Sequence, residues 1–178
     1  MQDGFSPATN TLLDQAALRC ARRGAKLTDL RRSVLGLVLD SPQPSGAYDL
    51  LDRLRDLRGP AAPPTVYRAL DFLVEHGFIH RVERLAAFVG CIDEASLDHD
   101  HHHHAAQFLI CTNCRKVAEI EDHDVAHALQ AAAKRLGFSL KRATIEAEGL
   151  CAVCKAAAVT KPQAAPVLPG QARSTSEH

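Results

Sequence analysis

Two Cys-x-x-Cys turns constrain this chain more than any other feature. Cys111 and Cys114 form one, Cys151 and Cys154 form the other, and 36 residues lie between them. A spacing of two lets both sulfurs of a turn face one ion. Two such turns supply four thiolates, the donor set of a tetrahedral structural zinc. An ion held this way closes a long loop and pins the end of the chain back onto the segment that carries the first turn. The gap is wider than a zinc ribbon uses, but it accommodates one helix and one strand. A redox pair needs only one such turn in a thioredoxin-like context, and that context is absent from the sequence. Thiols stay reduced in the cytosol, where six cysteines point to metal or redox chemistry more than to a disulfide framework. No charged-then-apolar leader opens the sequence and no apolar run is long enough to span a bilayer, so the expected location is cytoplasmic, with no membrane partner.

Ahead of the first turn, apolar residues recur at helical spacing. Leu13, Ala16, Ala17 and Cys20 make one stripe. Thr28 is placed to cap a second helix carrying Leu30, Val34, Leu37 and Val38, which Pro42 and Pro44 end. Ser45 is the expected cap of a third, with Ala47, Leu50, Leu51 and Leu54. Gly59 and Pro60 break it, and a fourth starts at Pro63-Pro64 with Val66, Ala69, Leu70, Leu73 and Val74 inward, stopping at Gly77. Ile79 to Glu83 and Ala86 to Cys91 then read as a hairpin. Residues 92–105 read as a polar, His-rich loop. Two strands, Gln107 to Cys111 and Lys116 to Ile120, flank the first cysteine turn. A helix over Val125 to Leu136 and a strand over Phe138 to about Glu148 follow. Residues 156–178, rich in Ala, Pro, Ser and Thr, read as a disordered tail. The expected fold is α+β: a helical half closed by a hairpin, like a winged helix-turn-helix, and a smaller α/β half held by zinc.

A winged helix-turn-helix presents its second helix to the DNA major groove. Here that helix is the one opening at Pro63. Arg68 lies about 200° round the helix from the Val66 stripe, so it faces outward. Arginine pairs bidentately with guanine. Thr65 and Tyr67 share the first turns, where backbone N–H groups attract phosphate, and Tyr48 opens the preceding helix. Periodicity alone fits an ordinary solvated face of Arg68, Tyr67 and Asp71 equally well. The formal net charge is zero, and cutting after Glu83 leaves 11 basic against 10 acidic residues in the first part. A DNA contact must therefore be local geometry, not a globally basic field.

A looser set of metal donors comprises His80, Cys91, the histidines at 99 and 101–104, and Glu119. All are donors that zinc accepts. Taken singly, each is also an ordinary surface or core residue, and the His run is also a loosely metal-scavenging tract.

The run Pro63-Pro64-Thr65-Val66-Tyr67-Arg68-Ala69-Leu70-Asp71-Phe72-Leu73 resembles the Fur family of metal-dependent transcriptional repressors, and in particular its zinc-sensing members. So do Ala47-Tyr48-Asp49-Leu50-Leu51, Gly77-Phe78-Ile79-His80 and Ile145-Glu146-Ala147-x-Gly149-Leu150-Cys151-x-x-Cys154. The resemblance spans about residues 10–155. It implies a winged-helix DNA-binding domain over 1–84, a hinge over 85–92 and a zinc-binding dimerisation domain over 93–155, ahead of the tail at 156–178. It implies two zinc ions per subunit: a structural one on Cys111, Cys114, Cys151 and Cys154, and a regulatory one on His80, Cys91, His104 and Glu119, with His102 or His103 able to stand in for His104. It implies DNA contacts from Tyr48, Thr65, Tyr67 and Arg68, a homodimer binding double-stranded operator DNA, no small-molecule substrate and no enzymatic activity. Cys91 favours zinc over iron, because thiolate suits the softer ion.

The expected mechanism follows from where the ligands fall. His80 belongs to the hairpin and Glu119 to the second half, so one ion joining them fixes the angle between the halves. In a two-fold dimer that angle sets the spacing of the reading helices. Three rivals remain at this point: an iron- or peroxide-responsive regulator of the same family, a zinc-buffering protein built on the His run, and a zinc hydrolase. The last ranks lowest, since four protein ligands leave no place for activated water.

Overall fold

The computed structural model describes residues 4–91, 106–140 and 143–160. The His-rich loop at 92–105, with His104, and the segment 161–178 lie outside the described residues.

Four helices form the first half: α1 (Pro7–Arg22), α2 (Asp29–Leu39), α3 (Ala47–Arg58) and α4 (Pro63–Glu75). Each buries most of the stripe that its spacing predicts, with Ala17, Leu30, Ala47 and Val74 only half-buried. Leu13, Ala16 and Cys20 of α1, Leu50, Leu51 and Leu54 of α3, and Val66, Ala69, Leu70 and Leu73 of α4 meet in one core. The inner helix is α2, which buries six consecutive residues from Ser33 to Val38. Gly36 lets the Phe5 ring lie directly on it, where a Cβ would collide. The start of α1 is tied to the end of α2 through Asp40, whose carboxylate accepts the Thr9 hydroxyl at 2.6 Å. Those hydrogen bonds hold the Asp40 carboxyl below its ordinary pKa. Pro63 and Pro64 open α4, where their missing N–H groups cost nothing. Its other end is a Schellman turn. Gly77 takes a φ of +69°, and the Phe78 N–H reaches the Leu73 carbonyl at 2.9 Å.

A small sheet of order β1–β3–β2 follows, from β1 (Ser45–Gly46), β2 (Ile79–Val82) and β3 (Ala87–Gly90). A single 3-10 turn, Glu83–Leu85, joins β2 to β3. Ser45 is thus not the cap of α3. It pairs with Phe88 as a strand residue, and the Gly46 N–H is satisfied by Asp49 at 3.3 Å. Thr28 does occupy the N-cap position of α2, but its side chain makes no capping bond. Residues 85–92, expected as a hinge, include the whole of β3, so the wing extends through Gly90.

The second half is a sheet of order β5–β4–β6, from β4 (Ala106–Cys111), β5 (Val117–Ile120) and β6 (Thr144–Gly149), with helices α5 (His123–Arg135) and α6 (Ala152–Thr160). β5 runs antiparallel and β6 parallel to β4. The strand expected over Phe138 to about Glu148 starts later, because β4 offers six residues and pairs only Thr144 to Gly149. Residues 156–160, expected at the start of a disordered tail, are helical within α6; the rest of that segment lies outside the described residues. Asp122 caps α5 by accepting the Val125 N–H at 3.1 Å. The two halves meet at a small buried cluster of Val82, Phe108 and Ile110. Among the described residues no helix is long and apolar enough to cross a membrane.

Candidate metal centres and nucleic-acid interface

The turn between β4 and β5 carries Cys111 and Cys114, and the start of α6 carries Cys151 and Cys154. Pairing of β6 with β4 ends at Cys111–Gly149, which delivers the second pair to the first. The four sulfurs lie within 4.8 Å of one another. Cys114 and Cys151 are 3.8 Å apart, the edge of a tetrahedron with bonds of about 2.3 Å to zinc. Backbone N–H groups of Cys114 and Cys151 lower the Cys111 pKa to about 6, with the Cys151 N–H at 3.4 Å. At Cys154 the Asn113 amide, donating at 3.2 Å, favours the thiolate, but the neighbouring cysteines outweigh it and raise the pKa to about 11. Four thiolates repel one another without a cation between them, and a divalent ion removes that conflict. The donor set fits zinc.

A second cluster lies where the halves meet. His80 projects from β2, Cys91 follows β3, and Glu119 projects from β5. Their donor atoms also fall within 4.8 Å of one another. His80 Nε2 is 3.1 Å from Glu119 Oε1, and the imidazole stands edge-on to Phe108 with centroids 5.5 Å apart. Burial opposes charge on His80, but Cys91 and Glu119 hydrogen-bond and attract it, raising its pKa to about 9. Glu119 Oε2 is buried and lacks a hydrogen-bond partner among the described residues. A buried, orphaned carboxylate oxygen beside a thiol and an imidazole suits a cation. The structure thus brings together three of the four expected joint ligands, while His104 lies outside the described residues.

The outward face of α4 carries Thr65, Tyr67 and Arg68, all exposed, and Tyr48 at the start of α3 is 69% exposed. Among the described residues, Tyr48, Tyr67 and Arg68 show no intramolecular side-chain hydrogen bond or ion pair. They are presented by a rigid core to whatever lies outside.

Residues 22–148 match the ferric uptake regulator family. The chain belongs to that family. It is 43% identical over 148 residues to the zinc uptake regulation protein of Escherichia coli strain K12, covering 82% of each chain. Identity to a ferric uptake regulation protein of the same organism is 31% over 133 residues, covering 74% of this chain and 84% of that one. Among solved structures, a zinc uptake regulator complexed with zinc and DNA superposes with a TM-score of 0.79 at 40% identity, covering 86% of this chain and 99% of that one. A holo XcZur structure superposes at 0.73 and 44% identity, covering 83% and 99%.

Sequence reasoning missed four residues at these centres. Asn113 sits inside the first cysteine turn, and that position is itself the signal that an amide can reach a sulfur. Phe108 backs His80. Glu146 accepts the backbone N–H groups of Glu83 and Arg84 at 2.7 and 3.0 Å, and Glu148 pairs with Arg84 at 2.6 Å. Their partners lie more than sixty residues away, so no local pattern announces them.

Proposed function

We propose that this member of the ferric uptake regulator family is a zinc-responsive, DNA-binding transcriptional repressor of zinc uptake genes, acting in the cytoplasm as a homodimer. The observation that carries the reading is the donor set of His80, Cys91 and Glu119, drawn from both halves of the chain and converging within 4.8 Å. Bound there, zinc supplies a cross-link between wing and sheet, with His104 as the fourth ligand. Cys111, Cys114, Cys151 and Cys154 hold a separate, structural zinc. Cys91 sets the preference for zinc over iron, and the family's zinc-named relatives support that choice. With the wing fixed on the sheet, the α4 helices of two subunits keep a constant separation and meet successive half-sites. Arg68 and Tyr67 read bases there, and Tyr48 and Thr65 contact base or backbone. The units are a winged-helix domain through Gly90, a joint opening at Cys91, and a dimerisation domain that includes α6.

A gel-shift titration on a zinc-uptake promoter tests the reading. Zinc restores binding to chelated protein, whereas iron(II) or manganese(II) at equal free concentration does not. Equal restoration by iron(II) would assign the chain to iron sensing instead.

A further inference from the structure

One transverse row of the second half's sheet lies against the wing. Glu119, Phe108 and Glu146 are register partners on β5, β4 and β6. Residues opposite one another in a sheet project from the same face. All three touch the wing strand or the turn after it. Glu119 meets His80 at 3.1 Å. Phe108 stands edge-on to His80 and shares a buried cluster with Val82. Glu146 holds the turn, with Oε1 accepting the Glu83 N–H at 2.7 Å and Oε2 accepting the Arg84 N–H at 3.0 Å. Two residues on, Glu148 accepts from the Arg84 guanidinium at 2.6 Å. One row therefore runs from the metal cluster, through a buried ring, to a carboxylate clamp.

We propose that Glu146 is a positioning residue for metal sensing. Its two-pronged grip on the Glu83–Leu85 turn fixes the wing against the sheet. His80 and Cys91, which travel with the wing, are thereby held within reach of Glu119, which belongs to the sheet. The proposal rests on reading His80, Cys91 and Glu119 as the regulatory zinc site. An ionised acceptor taking two main-chain N–H groups makes a stronger contact than neutral pairs do. The exposed Arg84–Glu148 ion pair adds little by comparison. Because the clamp and the metal favour the same arrangement, the factor by which the clamp strengthens zinc binding equals the factor by which zinc strengthens the clamp.

The test measures zinc affinity of the full-length chain by competition with a chromogenic chelator, following the ion that Cys91→Ser removes. Glu146→Ala weakens that site about tenfold, losing two charge-assisted bonds. Glu146→Gln, which keeps one acceptor oxygen, lies between it and wild type. Arg84→Ala keeps its backbone N–H and changes affinity by less than about threefold. In every variant the zinc on the four cysteines remains, and the thermal midpoint stays near that of wild type. Wild-type affinity in Glu146→Ala, or a larger loss in Arg84→Ala, would overturn the clamp. If Glu146→Ala loses both ions together through unfolding, Glu146→Gln decides, and wild-type affinity there overturns the clamp too. A wild-type chain with no Cys91-dependent zinc would remove the site reading and the clamp with it.

Discussion

At His80, burial and charge pull in opposite directions, and the thiol and carboxylate beside it decide the outcome. Its pKa of about 9 means that a proton occupies the joint in the metal-free chain near neutral pH. The folded value lies above the unfolded one of about 6.5, so the stabilisation is complete below about pH 6.5 and is lost as pH rises through about 9. Zinc needs the neutral imidazole and must displace that proton. Zinc affinity at the joint should therefore rise by about tenfold per pH unit between roughly pH 7 and pH 9 from His80 alone, with proton release on binding. Calorimetry in buffers of different ionisation enthalpy measures that release. Binding without proton uptake by the buffer at pH 7 would contradict a protonated His80. On α4, Arg68 extends from a helix whose opposite face is locked by Val66, Ala69 and Leu70. Arg68→Ala should weaken specific DNA binding by about 1–3 kcal/mol and relax preference at one base pair. Fluorescence anisotropy against an operator and its single-base variants checks both, and unchanged values would assign Arg68 to ordinary surface.

Among the elements, α5 is the helix least covered by the described residues, with Leu129, Ala132 and Ala133 only half-buried. Val125, Leu129, Ala132, Ala133 and Leu136 make an apolar stripe along it, yet α5 buries none of its residues in the single chain. A thirteen-residue helix draws most of its stability from packing. In the proposed dimer a second copy of the chain would supply that packing. Leu136 is 76% exposed in one subunit, so Leu136→Asp should leave a lone monomer's fold nearly untouched while weakening the dimer. Sedimentation velocity shows whether the mass halves at micromolar protein, and an unchanged dimer would move the interface elsewhere. The four helices of the first half were legible in sequence because each hides a single face, and a 3.6-residue period records that directly. The cysteine pairs were legible because two sulfurs of each pair are neighbours in the chain. Ser45 was misread because a two-residue strand has no period, and its place is set by Phe88 across the sheet. The start of β6 was misread for a related reason, since the length of β4 and not the local sequence after Phe138 determines pairing. The helix through residues 156–160 was missed because a low-complexity Ala run resembles a tail, although alanine is the strongest helix former.

Over the whole molecule, the two donor clusters have different duties as metal centres in the proposed function. The four-cysteine centre ties α6 and β6 to the β4–β5 turn within one half. The joint centre spans both halves, beside Val82, Phe108 and the Glu146 clamp. Removing the ion from four cysteines leaves repelling thiolates in their place and releases the end of the chain. Exhaustive chelation under denaturant-free conditions should therefore act in two stages: loss of DNA binding with secondary structure intact, then loss of the second half's structure as the cysteine-held ion leaves. Circular dichroism followed alongside metal content distinguishes these stages, and simultaneous loss would merge the two roles. In the proposed function, an ion shared between His80, Cys91 and Glu119 makes the chain competent to bind its operator. The most direct measurement is a DNA-binding titration against free zinc on wild type and Cys91→Ser, with bound zinc counted on the same samples. Wild type should carry two zinc ions per subunit and bind in a zinc-dependent way, and Cys91→Ser should carry one ion per subunit and lose operator binding at every zinc concentration. A Cys91→Ser chain that retains one ion and grips the operator as tightly as wild type would contradict this role of the shared ion.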